Sequence, residues 1–513
     1  MRSTLLLSLG SSLLLPATLL SAAQPLTARR PNILLFLVDD MGWQDTSVPF
    51  GSDTTALNRR YHTPAMERLA RRGVRFTDAY AAPVSSPSRC SLLTGAHAAR
   101  HRVTNWTLRY DTPSDHADST LQAPEWNVNG LSPRPDTPHT YYARMLPELL
   151  RAAGYHTIHC GKAHFGAIGT PAADPLQLGF EVNIAGHAAG GPASFLGRAR
   201  YGHDSLGKPV SPMAVPGLER YWDTDTYLSE ALTLEAIQAL RAQRSAGDRR
   251  PFFLYMSHYA VHVPFDRDQR FYQRYLDEGL DHKEAAYAAL VEGMDKSLGD
   301  LMDELERAGQ LDDTLILFMS DNGGLAASAY WHSGQLHWQN APLYSGKGSV
   351  YEGGIRVPLI VAGPGVVGRD RRDSHPVMIE DLFPTLLEVA GARPQQVDGR
   401  SLVPLLKAKR QPRERTLYWT YPHNWGLDGP GINFHAALRQ GRWKLLYDYR
   451  TGRHQLFDLA RDLGEQQDLS ATYPQRVRQL ARQLGRYLRS VGAQRPSVKA
   501  TGQPCPWPDE ALR

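Results

Sequence analysis

The residues with the clearest chemical potential lie in Val84–Gly95, V-S-S-P-S-R-C-S-L-L-T-G. Pro87 suits the first turn of a helix, where its missing N–H would have no partner anyway, so a helix is expected from Pro87 with Ser85 just before it. The Ser85 side chain then stands among unpaired helix N–H groups, which favour negative charge. Arg89, about one turn on, brings a fixed positive charge back to the same spot. The pair reads as a nucleophile with an anion site; the plainer alternative is a capped helix and nothing more.

Other chemically capable groups follow apolar runs. Asp39 and Asp40 come directly after N-I-L-L-F-L-V at Asn32–Val38, which reads as a buried parallel strand. In open α/β sheets ligands bind at that end of the strands. Adjacent carboxylates repel unless a cation lies between them, and hard oxygen donors favour Ca²⁺ or Mg²⁺. Asp321 and Asn322, before Gly323 and Gly324, supply a second oxygen pair after the strand Thr314–Met319. Lys162 and His164 follow the strand His156–Cys160, and His258 and His262 follow Phe252–Met256; His258 reads as a structural histidine. Lys347 lies between Gly346 and Gly348, which let its ammonium approach an anion closely.

The elements that must position these groups alternate strand and helix. Helices are expected from Thr63–Pro64 to Gly73, over Thr140–Ala153, Asp225–Arg244 and Met378–Ala390, and along the apolar stripe Val291, Met294, Leu298, Leu301 and Leu305. Strands are expected at Val74–Tyr80 and Val357–Ala362, and long loops over Gly186–Tyr221. After Leu406 the pattern changes to short strands at Thr416–Thr420, Phe434–Arg439, Trp443–Tyr447 and Gln455–Leu459, with one helix carrying Val477, Leu480, Leu484 and Leu488.

The 513 residues suffice for one large α/β domain and a smaller one. Arg2, the apolar run Leu5–Leu20 and the small residues Ser21–Ala23 read as an export signal cleaved after Ala23, which implies a periplasmic or secreted protein. Neither a membrane span nor a nucleic-acid motif is read. Three cysteines, Cys90, Cys160 and Cys505, exclude a disulfide scaffold, and a bond between the first two is left open. The net charge of +5 permits attraction to anionic substrates without establishing it.

From Ser85 to Gly95 the chain resembles the signature of the type I sulfatases: Cys or Ser, any residue, Pro, Ser or Ala, Arg, and then Leu-Thr-Gly. The remaining motifs occur in that family's order over Arg30–Leu469. The resemblance implies an alkaline-phosphatase-like α/β fold, with a catalytic domain at 24–406 and an antiparallel C-terminal subdomain at 407–513. It implies that Ser85 is oxidised to formylglycine by a serine-type maturase. It also implies one Ca²⁺ held by Asp39, Asp40, Asp321 and Asn322 together with residue 85. Lys162 and His164 resemble the family's Gly-Lys-Trp-His element with Ala163 in place of Trp, and Gly346–Pro358 resembles its second signature. The implied roles are orientation of the hydrated formylglycine and stabilisation of sulfate charge by Arg89 with the calcium ion, binding of the sulfate oxygens by Lys162, His262 and Lys347, protonation of the leaving alcohol by His262 alone or with Lys347, and proton removal from the second hydroxyl by His164.

A sulfated carbohydrate is the expected substrate, because Asn105-Trp106-Thr107 and Tyr421-Pro422-His423 resemble stretches of bacterial carbohydrate sulfatases. His101, Arg109, His332, His337 and His423 are the candidates for binding it. Two rival readings stay open: a phosphonate or phosphodiester hydrolase of the same superfamily, and a saccharide-binding protein that is catalytically silent if Ser85 stays unmodified.

Overall fold

The apolar run at Asn32–Val38 forms β1, buried along its whole length. The computed structural model describes residues 30–333, 336–409, 411 and 414–512; the export signal read at residues 1–23 lies outside them. In chain order β1 is followed by α1 (Pro64–Arg72), β2 (Gly73–Phe76), α2 (Ser85–Thr94), α3 (Leu146–Ala152), β3 (His156–Gly161), β4 (Val182–Ile184) and α4 (Leu228–Ser245). Next come β5 (Phe252–Ser257), α5 (His282–Arg307), β6 (Thr314–Ser320), β7 (Leu359–Ala362), β8 (Arg371–Asp373) and α6 (Leu382–Val389).

These eight strands make one sheet in the order β8-β2-β7-β6-β1-β5-β3-β4. All neighbours are parallel except those of β7, which runs against both β6 and β2. Strand alternation sends Leu34, Phe36 and Val38 to one face and Ile33, Leu35 and Leu37 to the other. The first face carries α1, α4 and α5, and the expected stripe Val291–Leu305 is its core. The second carries α2, α3 and α6 through Leu92, Leu93, Leu150 and Leu386. Each such fully buried side chain contributes roughly 1.5–3 kcal/mol. The architecture is thus the expected mixed, mostly parallel sheet flanked by helices.

Local boundaries differ from the sequence reading for identifiable reasons. The helix expected over Thr140–Ala153 is only Leu146–Ala152, because Tyr141–Tyr142 pairs with Leu131–Ser132 and Met145 is extended before Pro147 in the first turn. The strand expected at Val74–Tyr80 is divided between β2 and a short Ala79–Tyr80 segment paired with Val377–Met378. The helix expected from Met378 begins as a 3₁₀ turn at Ile379–Asp381.

A second, antiparallel sheet follows: β9 (Thr416–Tyr421), β10 (His435–Gln440), β11 (Trp443–Asp448) and β12 (His454–Asp458), in sequential order. It is covered by α7 (Pro474–Ser490) through Val477, Leu480, Leu484 and Leu488. Polar contacts tie this sheet to the main one. The fully buried Lys444 ammonium lies 2.8 Å from both Glu352 Oε1 and Glu465 Oε1. Trp419 Nε1 donates to the Ala81 carbonyl at 3.0 Å, and the Tyr421 hydroxyl donates to Asn105 Oδ1 at 2.8 Å. No described helix is long and apolar enough to cross a membrane.

Candidate active site

The chain after β2 turns at Val84, whose backbone is extended, and α2 begins at Ser85 itself, two residues earlier than the position of Pro87 suggested. All ten residues of α2 are buried, and Gly95 ends it in the left-handed conformation (φ 69°) that glycine adopts without strain. Ser85 Oγ is fixed from three sides. Asp39 Oδ1 lies at 3.2 Å, Asn322 Oδ1 at 3.1 Å, and Lys162 Nζ donates to it at 3.2 Å.

Asp39 and Asp40 stand at the end of β1, Asp321 and Asn322 at the end of the adjacent β6. Oxygens of the three carboxylates lie within 4.8 Å of one another, all buried. Asp40 holds a left-handed backbone (φ 59°), a strained state that Asp tolerates better than most residues. Burial, reinforced by Asp321 and Asp40, pushes the Asp39 carboxyl up to about 8 against the pull of Lys162. Burial acts on Asp40 in the same direction, but Lys347, His262 and Lys162 outweigh it and hold that carboxyl below the usual range. Three crowded carboxylates and the Asn322 amide form an all-oxygen donor set whose like charges a cation would relieve. These residues therefore fit a hard divalent ion.

Three basic groups face the acids. Arg89 is fully buried; its Nε donates to Asp321 Oδ2 at 2.8 Å and its Nη1 to Ser257 Oγ at 2.6 Å. Lys162 Nζ donates to Asp39 Oδ2 at 2.7 Å, and burial lowers its pKa to about 8. Lys347 Nζ donates to Asp40 Oδ2 at 2.8 Å and lies 5.7 Å from the centre of the Trp425 ring. Burial alone would lower Lys347; Asp40 and Asp39 raise it instead.

The two histidines are held with opposite nitrogens forward. His164 Nε2 is 3.0 Å from the Thr107 carbonyl, which can only accept, so Nε2 carries the proton and Nδ1 is a bare acceptor. Nδ1 has no partner among the described residues. Burial, then Lys162 and Arg89, hold this imidazole well below its usual pKa and keep it neutral. His262 Nδ1 donates to the Val263 carbonyl at 2.8 Å and turns Nε2 toward Asp40 Oδ2, 3.7 Å away. Burial and Lys347 lower its pKa to about 3.

Above these groups opens a cavity of about 310 Å³ with Asp40, Ser85, His164, His262 and Lys347 at its floor. Its walls come from separate loops and include Trp106, Met213, Leu325, Trp331 and Trp425. None of the five residues expected to bind substrate lines it. His101 is buried against Ser91 Oγ (3.0 Å) and Pro87 O. His423 is clamped between Asp115 Oδ1 (2.8 Å) and Thr104 Oγ1 (2.7 Å). His332 faces Glu284 Oε1 at 3.1 Å, His337 packs by Gly429, and Arg109 is exposed on the surface. The walls are aromatic and apolar instead. Met213 and Trp331 carried no motif; Trp106, within Asn105-Trp106-Thr107, and Trp425, two residues past Tyr421-Pro422-His423, were the signal available. His258 is buried and bonded to Ser297 Oγ at 2.9 Å, a structural role, and all three cysteines are free.

A serine hydroxyl, an acidic oxygen cluster at two parallel strand ends and three cations gathered around them fit a hydrolase of anionic esters. The chain belongs to the sulfatase family and is a sulfuric ester hydrolase: the sulfatase family model matches residues 31–392, and that of the N-sulphoglucosamine sulphohydrolase C-terminal region matches residues 343–494. A sulfatase of Formosa agariphila is 29% identical over 90% of this chain and 88% of its own length. The N-acetylgalactosamine-6-sulfatase of Canis lupus familiaris is 30% identical over 86% of this chain and 82% of its own. Among solved structures, Ps i-CgsB in complex with k-i-k-neocarrahexaose is 26% identical with a TM-score of 0.68, covering 90% of this chain and 93% of that one. The phosphonate monoester hydrolase of Agrobacterium radiobacter, 21% identical with a TM-score of 0.60 over 90% and 96% of the two chains, shares the fold.

Proposed function

We propose that this exported enzyme removes sulfate from a sulfated carbohydrate, using a formylglycine made from Ser85 and a calcium ion held by Asp39, Asp40, Asp321 and Asn322. The observation that carries this reading is the position of Ser85 Oγ, at the floor of the cavity and within 3.2 Å of Asp39, Asn322 and Lys162. Formylglycine would supply a hydrated aldehyde as nucleophile, and calcium would neutralise sulfate charge.

The chain's own groups have distinct parts. Arg89, Lys162 and Lys347 hold the sulfate oxygens by charge-assisted hydrogen bonds. His262 turns Nε2 toward the cavity; because Nδ1 already carries a proton to the Val263 carbonyl, it would hand a proton to the departing sugar oxygen only as the imidazolium, which the negative charge of bound sulfate favours. His164 receives a proton at its bare Nδ1 from the hydroxyl at position 85, which frees the bound sulfate. The aromatic walls support a sugar as the leaving group, since Trp106, Trp331 and Trp425 offer faces on which a pyranose ring stacks. The names of two similar proteins, an N-acetylgalactosamine-6-sulfatase and Ps i-CgsB in complex with k-i-k-neocarrahexaose, point the same way.

The test is the mass of the Ser85 peptide from protein made in its own host, followed by rates on sulfate and phosphate esters of one alcohol. A peptide two hydrogens lighter and a preference for sulfate are expected. An unmodified Ser85 in a protein that still binds saccharide would replace hydrolysis by binding, and a preference for phosphate would favour the phosphonate hydrolase reading.

A further inference from the structure

A second cleft, of about 440 Å³, opens at the same edge of the main sheet, beyond β6 and β7 from the Ser85 cavity. It is formed where the segment after Asp39 and Asp40, the ends of β2 and β8, and the β10–β11 turn meet. Four guanidinium side chains line it, Arg356, Arg372, Arg439 and Arg442, against one lining carboxylate, Asp78.

Three of the four are matched by acids. Arg356 pairs with Glu352 (2.7 Å) and Asp78 (3.4 Å), Arg439 with Asp78 (2.6 Å), and Arg442 with Asp458. Arg372 has only main-chain partners, the carbonyls of Gly51 (3.0 Å) and Pro49 (3.4 Å). The cleft therefore carries one positive charge in excess of Asp78, Glu352 and Asp458, and that charge is on Arg372. A second observation is independent of charge. Trp43 lines the cleft, is 1% exposed, and its indole N–H has no hydrogen-bond partner among the described residues. A buried donor left without an acceptor costs about 1–3 kcal/mol, which an incoming acceptor would recover.

We propose that this cleft is a second oxyanion site, which takes one sulfate group through Arg372 and the Trp43 indole N–H. The group is either a substituent elsewhere on the sulfated saccharide or free sulfate released by the reaction. A single excess charge suits a sulfate monoester, and the volume leaves room for the sugar that bears it. Trp43 is four residues from Asp39, so an occupant would rest on the segment that leaves the acidic cluster.

The test is equilibrium dialysis of the purified, calcium-loaded enzyme against ³⁵S-labelled inorganic sulfate. Two sites are expected in the wild type. Lys347→Gln should lose the one at the Ser85 cavity, while Arg372→Gln and Trp43→Phe should each weaken the other at least fivefold. Arg372 is exposed and Trp43→Phe breaks no hydrogen bond, so both variants are expected to fold. Kinetics separate the two sources. A tenfold lower kcat/KM on a sulfated oligosaccharide with an unchanged rate on p-nitrophenyl sulfate assigns the site to the saccharide. Loss of a noncompetitive component of sulfate inhibition, with both rates unchanged, assigns it to the product. One sulfate site in the wild type, or two undiminished sites in Arg372→Gln and Trp43→Phe, overturns the proposal and leaves the function proposed for Ser85 intact.

Discussion

Gly190 and Gly191 line the Ser85 cavity in close contact with the two site histidines, and substituting each by alanine separates the two proton transfers. A Cβ on Gly190 would meet His164 Cε1 at 2.4 Å and Nε2 at 2.7 Å; one on Gly191 would meet His262 Nδ1 at 2.7 Å and Cε1 at 2.9 Å. Ordinary contact begins at 3.4 Å, so the His164 ring must retreat by about 1 Å and the His262 ring by about 0.7 Å. A displacement of about 1 Å at a reacting group costs on the order of 10²-fold in rate, or about 2.7 kcal/mol in the barrier. Neither glycine has a left-handed backbone, so alanine adds volume and no torsional strain. The assay is kcat/KM on two substrates, p-nitrophenyl sulfate, whose leaving group needs little protonation, and a sugar 6-sulfate, whose alcohol needs it fully. Gly191→Ala, which disturbs the donor, should slow the sugar sulfate by tens of fold and the aryl sulfate little. Gly190→Ala, which disturbs the base used for every turnover, should slow both by about 10²-fold. If Gly190→Ala stays within threefold of wild type, or Gly191→Ala slows both substrates equally, the roles given to the histidines are wrong.

Removal of divalent cations with a chelator should abolish activity and lower Tm; calcium restored to 100 times its Kd should return about 2.7 kcal/mol of stability, read from denaturant curves. Trp425→Ala deletes a cavity wall and the ring beside Lys347, so kcat/KM for a sugar sulfate should fall about tenfold, in keeping with a stacking contact plus a cation–π contact; an unchanged value would remove Trp425 from substrate binding. Glu380 is buried, and burial followed by Asp381 pushes its carboxyl up to about 8 from 4.5. Between those values the folded state keeps a proton that the unfolded state has lost, so stability is full below pH 4.5 and declines as pH rises toward 8. Glu380→Gln should flatten that part of the Tm profile, by up to about 1.4 kcal/mol per pH unit; parallel profiles for the two proteins would show that Glu380 is ionised when folded.

The acidic cluster was legible because its two oxygen pairs follow continuous apolar runs, and a buried parallel strand leaves its next residues at the ligand-binding edge; Ser85 was legible instead from Pro87 and Arg89 beside it. Asp39, Asp40, Asp321 and Asn322 needed no knowledge of the connecting chain. The substrate walls were not legible in this way. Trp106, Trp331 and Trp425 come from three loops with no shared period, and only the folded chain brings them together. Histidines misled for a related reason: His101 and His423 look reactive in a polar segment, yet both ring nitrogens of each are engaged in the interior, His101 by Ser91, Pro87 and the Val103 N–H and His423 by Asp115 and Thr104. The helix read over Thr140–Ala153 failed because a distant pairing with Leu131–Ser132 captured Tyr141–Tyr142.

The fully buried Lys444 has a consequence for how this enzyme can be varied. Its ammonium on β11 is neutralised by Glu352, five residues beyond Lys347, and by Glu465 beyond β12. Replacing Lys444 by a neutral side chain of similar size would leave Glu465 buried without its cation and Glu352 with Arg356 as its remaining one, at a cost of about 3–5 kcal/mol. The two sheets of this chain are thus matched in charge, and a change to Lys444 on one calls for a change to the acids that face it.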